Sequence, residues 1–177
     1  MAIHTSLSSL LLESVPEYLE VAGHCLRRKK VNGGVYGFPA ALLLLCITDT
    51  IGSYHRGDQS FRVFVDGADC FINGDSAKHF YILNSSYYCQ SLSRKQIEKF
   101  YDYYRCLLAH NASLPNECSL RLNDVAEPFE LGADGLIRAI NLNAFYHKSA
   151  FAVQQFLSSL ASVIPKSKTA SIIANKS

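Results

Sequence analysis

The sequence predicts a mainly α domain, a helical bundle carrying a small β-hairpin before its C-terminal helix, and three observations support that expectation. Apolar residues recur at helical spacing in several separate stretches. Two of those stretches are preceded by Ser-x-x-Glu or Ser-x-x-Gln, the pattern of a helix capping box. Period-two alternation is confined to short runs fenced by turn formers, most of them after Pro115.

A chain of 177 residues that is 49% hydrophobic can bury one sizeable core. We therefore expect one domain over residues 1–164, followed by a lysine- and serine-containing tail over 165–177 that is loosely ordered. Ser14-Val-Pro-Glu17 reads as the first capping box, with Val15, Leu19, Ala22 and Leu26 on one helical face behind it. Asn32-Gly33-Gly34 ends that run, after the cluster Arg27-Arg28-Lys29-Lys30. Cations suit the negative end of a helix dipole, so that cluster has a structural reason as well as a phosphate-binding one.

Pro39 is pre-shaped for a first helical turn and opens a second helix reaching about Tyr54. Ala40 to Ile47 is apolar on every face, which marks a helix enclosed by others. Asp49 follows one turn later, and a carboxylate beside such a core needs a cation or donors. From Gly57 to Asp75 the expectation is a long, partly irregular connection, although Phe61 to Val65 alternates like a strand. A short helix is expected from Ser76 to about Asn84. Ser93-x-x-Gln96 opens a further helix with an apolar-aromatic stripe of Ile97, Phe100, Tyr101, Tyr104 and Leu108, stopping near Asn111. Ser119–Leu122, Pro128–Leu131 and Leu136–Leu142 read as strands, the last two joined as a hairpin through Gly132-Ala-Asp-Gly135. Asn143 is placed to cap the final helix, in which Phe145, Ala152, Phe156 and Leu160 share a face.

The formal charge of +2 and pI near 8.2 are too mild to signal a nucleic-acid partner by bulk electrostatics, so any anion site must be built locally. Six cysteines without a C-x-x-C pair spell neither a zinc cage nor a redox motif, and read as reduced thiols of a cytoplasmic protein. His24, His55, His79 and His147 lack ligand-like spacing; no metal and no cofactor is expected. The longest apolar run is cut off by Thr48-Asp49-Thr50, too short for a membrane span, and no secretory signal is legible at the N-terminus.

One segment carries chemistry. Arg105-Cys-Leu-Leu-Ala-His110 joins a permanent cation to the side chain that titrates near neutrality. Arg105 could neutralise charge growing on a phosphate while His110 moves a proton, with no metal required. Among eight arginines and six histidines, about one such pair arises by chance. On a continuous helix, residues five apart also diverge by about 140°. Convergence on one phosphate therefore needs the helix to end or distort near His110.

Phe38-Pro-Ala-Ala-Leu-Leu-Leu-Leu-Cys-Ile-Thr-Asp49, followed by Tyr103-Tyr-Arg-Cys-Leu-Leu-Ala-His-Asn111, resembles the HEPN superfamily of small helical proteins, whose motif is Arg, four to six residues, then His. The resemblance implies a HEPN-like bundle that forms a homodimer with both motifs lining one cleft, and a metal-independent endoribonuclease in which Arg105 and His110 are catalytic. Attack by a ribose 2′-hydroxyl would leave a cyclic phosphate, and DNA would be spared. Asp49 could orient Arg105, and Asn111 could donate to phosphate. A polar residue often follows the motif arginine in that family, whereas Cys106 stands here. The alternative is a catalytically silent module that binds a protein partner, such as an antitoxin or a nucleotidyltransferase-like protein. Tyr101 and Tyr104 are expected in the core or dimer seam, leaving Tyr103 to face outward.

Overall fold

The computed structural model describes residue 4, residues 6–74 and residues 76–176; Met1 to Ile3 of the expected domain and Ser177 of the expected tail lie outside them. Helices dominate: α1 (Leu7–Arg27), α2 (Gly37–Tyr54), α3 (Ser76–His79) running into a 3-10 turn over Phe80–Asn84, α4 (Arg94–Phe100), α5 (Leu107–Asn111), α6 (Leu142–Val163) and α7 (Lys168–Ala174). Between α4 and α5 the helix widens into a π-helical stretch, Tyr101–Cys106.

α2 is the centre. Ala40, Ala41, Leu44, Leu45, Ile47 and Ile51 are fully buried, because α1 and α6 pack along it while the 3-10 turn and the π stretch close its other sides. Its length and apolarity would suit a membrane span, but half of it is buried inside this fold. Thr48 is reconciled with the core by donating to the Leu44 carbonyl and pairing with the Tyr88 hydroxyl at 3.0 Å. Phe100, Tyr104, Phe145 and Phe156 fill the space around it.

The first helix begins eight residues earlier than its Ser14 box suggests. Ser6 is the N-cap, with a reciprocal Ser6/Ser9 box. Pro16 lies inside the helix, and the Leu12 carbonyl it leaves without a donor belongs to a residue on the exposed face, where water can replace the bond. The helix stops at Arg27, so Lys29 and Lys30 belong to the following turn, where Lys29 bridges Val35. The Ser93/Gln96 box forms as read. Asn141, not Asn143, occupies the cap of α6, and its side chain donates to the Glu127 carbonyl instead of to the helix.

Two small sheets complete the fold. β1 (Val63–Val65) and β2 (Ala68–Cys70) form an antiparallel hairpin where an irregular connection was expected. Asp66 and Gly67, both at positive φ, make its two-residue turn, and the alternation of Val63, Phe64 and Val65 buries one face. The expected hairpin of β4 (Phe129–Leu131) and β5 (Ile137–Asn141) is present, extended by β3 (Ser119–Arg121) running parallel to β5. The segment after residue 164, expected to be loosely ordered, forms α7 instead. Ser167 caps it, Lys168 donates its N–H to the Arg56 carbonyl, Thr169 bonds the Ser53 carbonyl, and Ala170 is buried. The tail is ordered because it satisfies the carbonyls that end α2.

Two contacts at the α2 terminus are testable. A Cβ on Gly52 would lie 2.1 Å from the His79 carbonyl oxygen, so Gly52→Ala should force α3 off α2 and cost about 3 kcal/mol, read as a lower denaturation midpoint at unchanged slope. His55 is buried and stacks on Phe61, with ring centroids 3.8 Å apart; burial pushes its pKa down to about 4. The unfolded chain therefore takes up the proton first, and stability should fall as pH drops from about 6.5 towards 4, by something on the order of 3 kcal/mol. His55→Gln should flatten that limb in pH-dependent denaturation; an unaltered slope would remove His55 as its source.

Candidate functional site

α2 surfaces from the core at Asp49, whose side chain is 19% exposed. Its carboxylate is shared. Oδ1 accepts from His79 Nδ1 at 2.8 Å, and Oδ2 lies 3.4 Å from Arg105 Nε. The close approach of α3 over Gly52 delivers His79, and the π stretch delivers Arg105. The wider turn allows neighbouring Tyr104, fully buried, and Arg105, 24% exposed, both to face the molecule.

The contact between Asp49 and Arg105 is close but not aligned as a hydrogen bond; Nε is buried and the pair is held by charge. The two terminal nitrogens of Arg105 make no hydrogen bond to the described residues, and its side chain keeps 24% of its surface exposed. His79 is buried, and its Nε2 has no hydrogen-bond partner among the described residues. Cys46, one turn before Asp49, lies within the field of both charges. Burial is the largest influence on it and raises its thiol pKa; Arg105 pulls the other way and Asp49 adds to the rise, so it is a poor nucleophile.

His110 stands in the regular turn of α5, exposed and without a side-chain hydrogen bond or ion pair to the described residues. The helix remains wound through it and ends only after Asn111, where Ala112 takes a left-handed conformation. The distortion falls a turn upstream of where convergence with Arg105 would need it. The structure thus brings Asp49 and Arg105 together, adds His79, and leaves His110 and Asn111 outside their hydrogen-bond network. Tyr104 is buried as expected, Tyr101 meets the Phe80 ring edge-on, and Tyr103 is half-buried with Lys99 and Arg138 beside its ring.

His79 is the member that the sequence reading passed over. Its signal was indirect: Asp49 needed a donor, and His79 opens the run Phe80-Tyr-Ile-Leu83, which a charged neighbour could enter only with a partner. Among the described residues no group of three or more His, Cys, Asp or Glu could hold a metal ion, and all six cysteines are free. Comparison with family models, curated proteins and solved structures finds no match to this chain.

Both partners are largely withdrawn from water, so their coupling should exceed that of a surface pair. In a double-mutant cycle with Asp49→Ala and Arg105→Ala we expect a stability coupling of about 1–2 kcal/mol. Additive losses would show the two charges to be independent.

Proposed function

We propose that the chain is an RNA-directed protein of the HEPN type, a metal-independent endoribonuclease of the cytoplasm whose working site forms between two copies. One observation carries the reading: Asp49 grips Arg105 from the Nε side and leaves the terminal nitrogens, the pair suited to two phosphate oxygens, without a hydrogen-bond partner among the described residues. The exposed His110 is the proton carrier. Within one chain it lies around the helix from Arg105, so pairing motif faces across a homodimer is how an imidazole comes to a phosphate held by the guanidinium.

In that arrangement the ribose 2′-oxygen attacks phosphorus, and the bond to the 5′-oxygen breaks. His110 takes the hydroxyl proton or returns one to the leaving oxygen. Arg105 neutralises charge on the non-bridging oxygens, and the products are a 2′,3′-cyclic phosphate and a 5′-hydroxyl. Asn111, at the exposed end of α5, is available to donate to phosphate.

The charge match between Asp49 and Arg105 favours a second reading, a silent interaction module in which the pair only braces the fold. One experiment separates them. Cleavage of single-stranded RNA in chelator should fall by about 10²-fold or more in His110→Ala and in Arg105→Ala, with DNA untouched. Mixing the two inactive variants should restore part of the activity, because a mixed dimer carries one intact Arg105 opposite one intact His110. Inert wild-type protein, or equal cleavage by wild type and His110→Ala, would leave the interaction module as the reading.

A further inference from the structure

A cavity of about 490 Å³ lies between the end of α2, the loop leading into β1 and the last two turns of α6. That volume is in the range of small-molecule sites. It shares no residue with the Asp49, His79 and Arg105 cluster. Its wall is aromatic, made by Phe61 and Tyr87, with His55 stacked on Phe61.

The protons in the wall can be placed one by one. The Ser159 hydroxyl donates to the Phe156 carbonyl, so at its 3.1 Å contact with Tyr87 it accepts. Tyr87 therefore donates to Ser159 and, at 2.9 Å, accepts from His55 Nε2. His55 is neutral, since burial holds its pKa near 4. The wall is thus flat and uncharged on this side, with His55 Nδ1 left as a buried acceptor that has no partner among the described residues.

Of the polar groups left over, the Ser86 hydroxyl and the Gln155 amide can each donate or accept. Ser158 and Ser162 also spend their protons on carbonyls of their own helix, so each offers the cavity only an acceptor oxygen. Asp58 has a side chain only 9% exposed, and its Oδ1 is saturated by the Ser60 N–H at 2.8 Å and the Ser60 hydroxyl at 2.6 Å. Burial alone would raise its pKa, but the Ser60 bonds and Lys166 outweigh that and keep the carboxyl ionised. Asp58 Oδ2 has no hydrogen-bond donor among the described residues; Lys166 Nζ is 3.9 Å away and donates instead to the Ser60 hydroxyl at 2.9 Å. A nearly buried carboxylate oxygen and an ammonium therefore stand too far apart to satisfy each other, yet close enough to bond neighbouring atoms on one edge of a planar ligand.

We propose that this cavity binds a guanine base, with Asp58 Oδ2 accepting from the ring N1–H and the 2-amino group, Lys166 donating to O6, and Phe61 stacking on the ring. Guanine presents two adjacent donors beside one acceptor on its pairing edge. Adenine and cytosine each offer a single amino donor there, and uracil one donor between two acceptors, so none of them brings two adjacent donors to Asp58 Oδ2 beside an acceptor for Lys166. Aromatic stacking combined with reading of the pairing edge is the way unpaired bases are held. The base can belong to a free nucleoside or nucleotide, or to single-stranded RNA. This site does not use Arg105 or His110, so it stands or falls separately from the cleavage reading.

Guanosine, inosine and adenosine titrated into the full chain, followed by calorimetry or amide NMR shifts, test the proposal. We expect saturable guanosine binding, weakened about tenfold or more for inosine, which lacks the 2-amino donor. Asp58→Asn replaces the acceptor with a donor while its own carbonyl oxygen can keep the Ser60 turn; it should lose guanosine and favour xanthosine, whose 2-oxo group accepts. Lys166→Met removes an exposed side chain and should weaken guanosine binding without loss of fold, which keeps the test decisive if the Asp58 variant does not fold. A short oligoribonucleotide with one guanine, compared with its inosine counterpart, separates the two sources: binding confined to the oligonucleotide assigns RNA. The proposal is overturned by equal response to guanosine, inosine and adenosine, by no saturation in either form of the ligand, or by folded Asp58 and Lys166 variants that bind as wild type does.

Discussion

α2 is apolar on every side for two turns, and enclosing it costs the chain its freedom to place charge nearby. Where the enclosed stretch ends, Asp49 is still four-fifths buried, and an ionised carboxylate in that position is tolerated only with donors and a counter-charge. His79 and Arg105 answer that need from elements distant in sequence, one over the glycine contact at Gly52 and the other from the π stretch. Closing the core and assembling the cluster are therefore a single event. Loosening either approach would leave a buried charge, which is far costlier than a missing apolar contact.

That dependence also explains the irregular helix. A regular α-helix from Arg94 to Asn111 would keep Ile97, Phe100, Tyr104 and Leu108 on one face, and all four are buried here. The π-helical winding keeps that stripe while turning Arg105 inward beside Tyr104. Backbone bonds of poorer geometry over Tyr101–Cys106 are exchanged for neutralisation of Asp49, a reasonable balance when an uncompensated interior carboxylate would cost several kcal/mol.

Much of the fold was legible because helices announce themselves locally. The run Ala40–Ile47, the Ser93/Gln96 box and the stripe behind it depend on neighbours three or four residues apart, and they stand where the sequence puts them. The hairpin of β4 and β5 was equally local, since Gly132 to Gly135 supplies its own turn. What escaped was either masked or remote. Ser14 and Glu17 imitate a helix start in the middle of α1, because a capping box cannot reveal that another one lies upstream. Asp66-Gly67 was a hairpin signal outweighed by the polar residues around it. The parallel pairing of β3 with β5 and the docking of α7 on α2 are long-range, and no periodicity in a short segment encodes its partner. In the candidate cluster the need of Asp49 for a cation or donors was legible from its place beside the core, its link to Arg105 came only from the family resemblance, and His79 required the fold itself.

Both polar centres described above lie at one end of α2, for a reason that follows from its sequence. Ala40, Ala41, Leu44, Leu45 and Ile47 are sealed by apolar neighbours, whereas Asp49, Ser53 and Arg56 towards its end are part-exposed. This is also the helix C-terminus, where unsatisfied carbonyls and the negative end of the dipole favour donors and cations. The donors that arrive come from separate elements: Arg105 and His79 beside Asp49, and the N–H of Lys168 and hydroxyl of Thr169 on the terminal carbonyls. Lys166 enters by the same route, carried by the turn that leads into α7, and it is this placement that leaves it beside Asp58 without fully pairing with it. A helix buried by half its length thus creates two polar centres at its exit: one organised around a shared carboxylate, the other around a carboxylate with one oxygen still open.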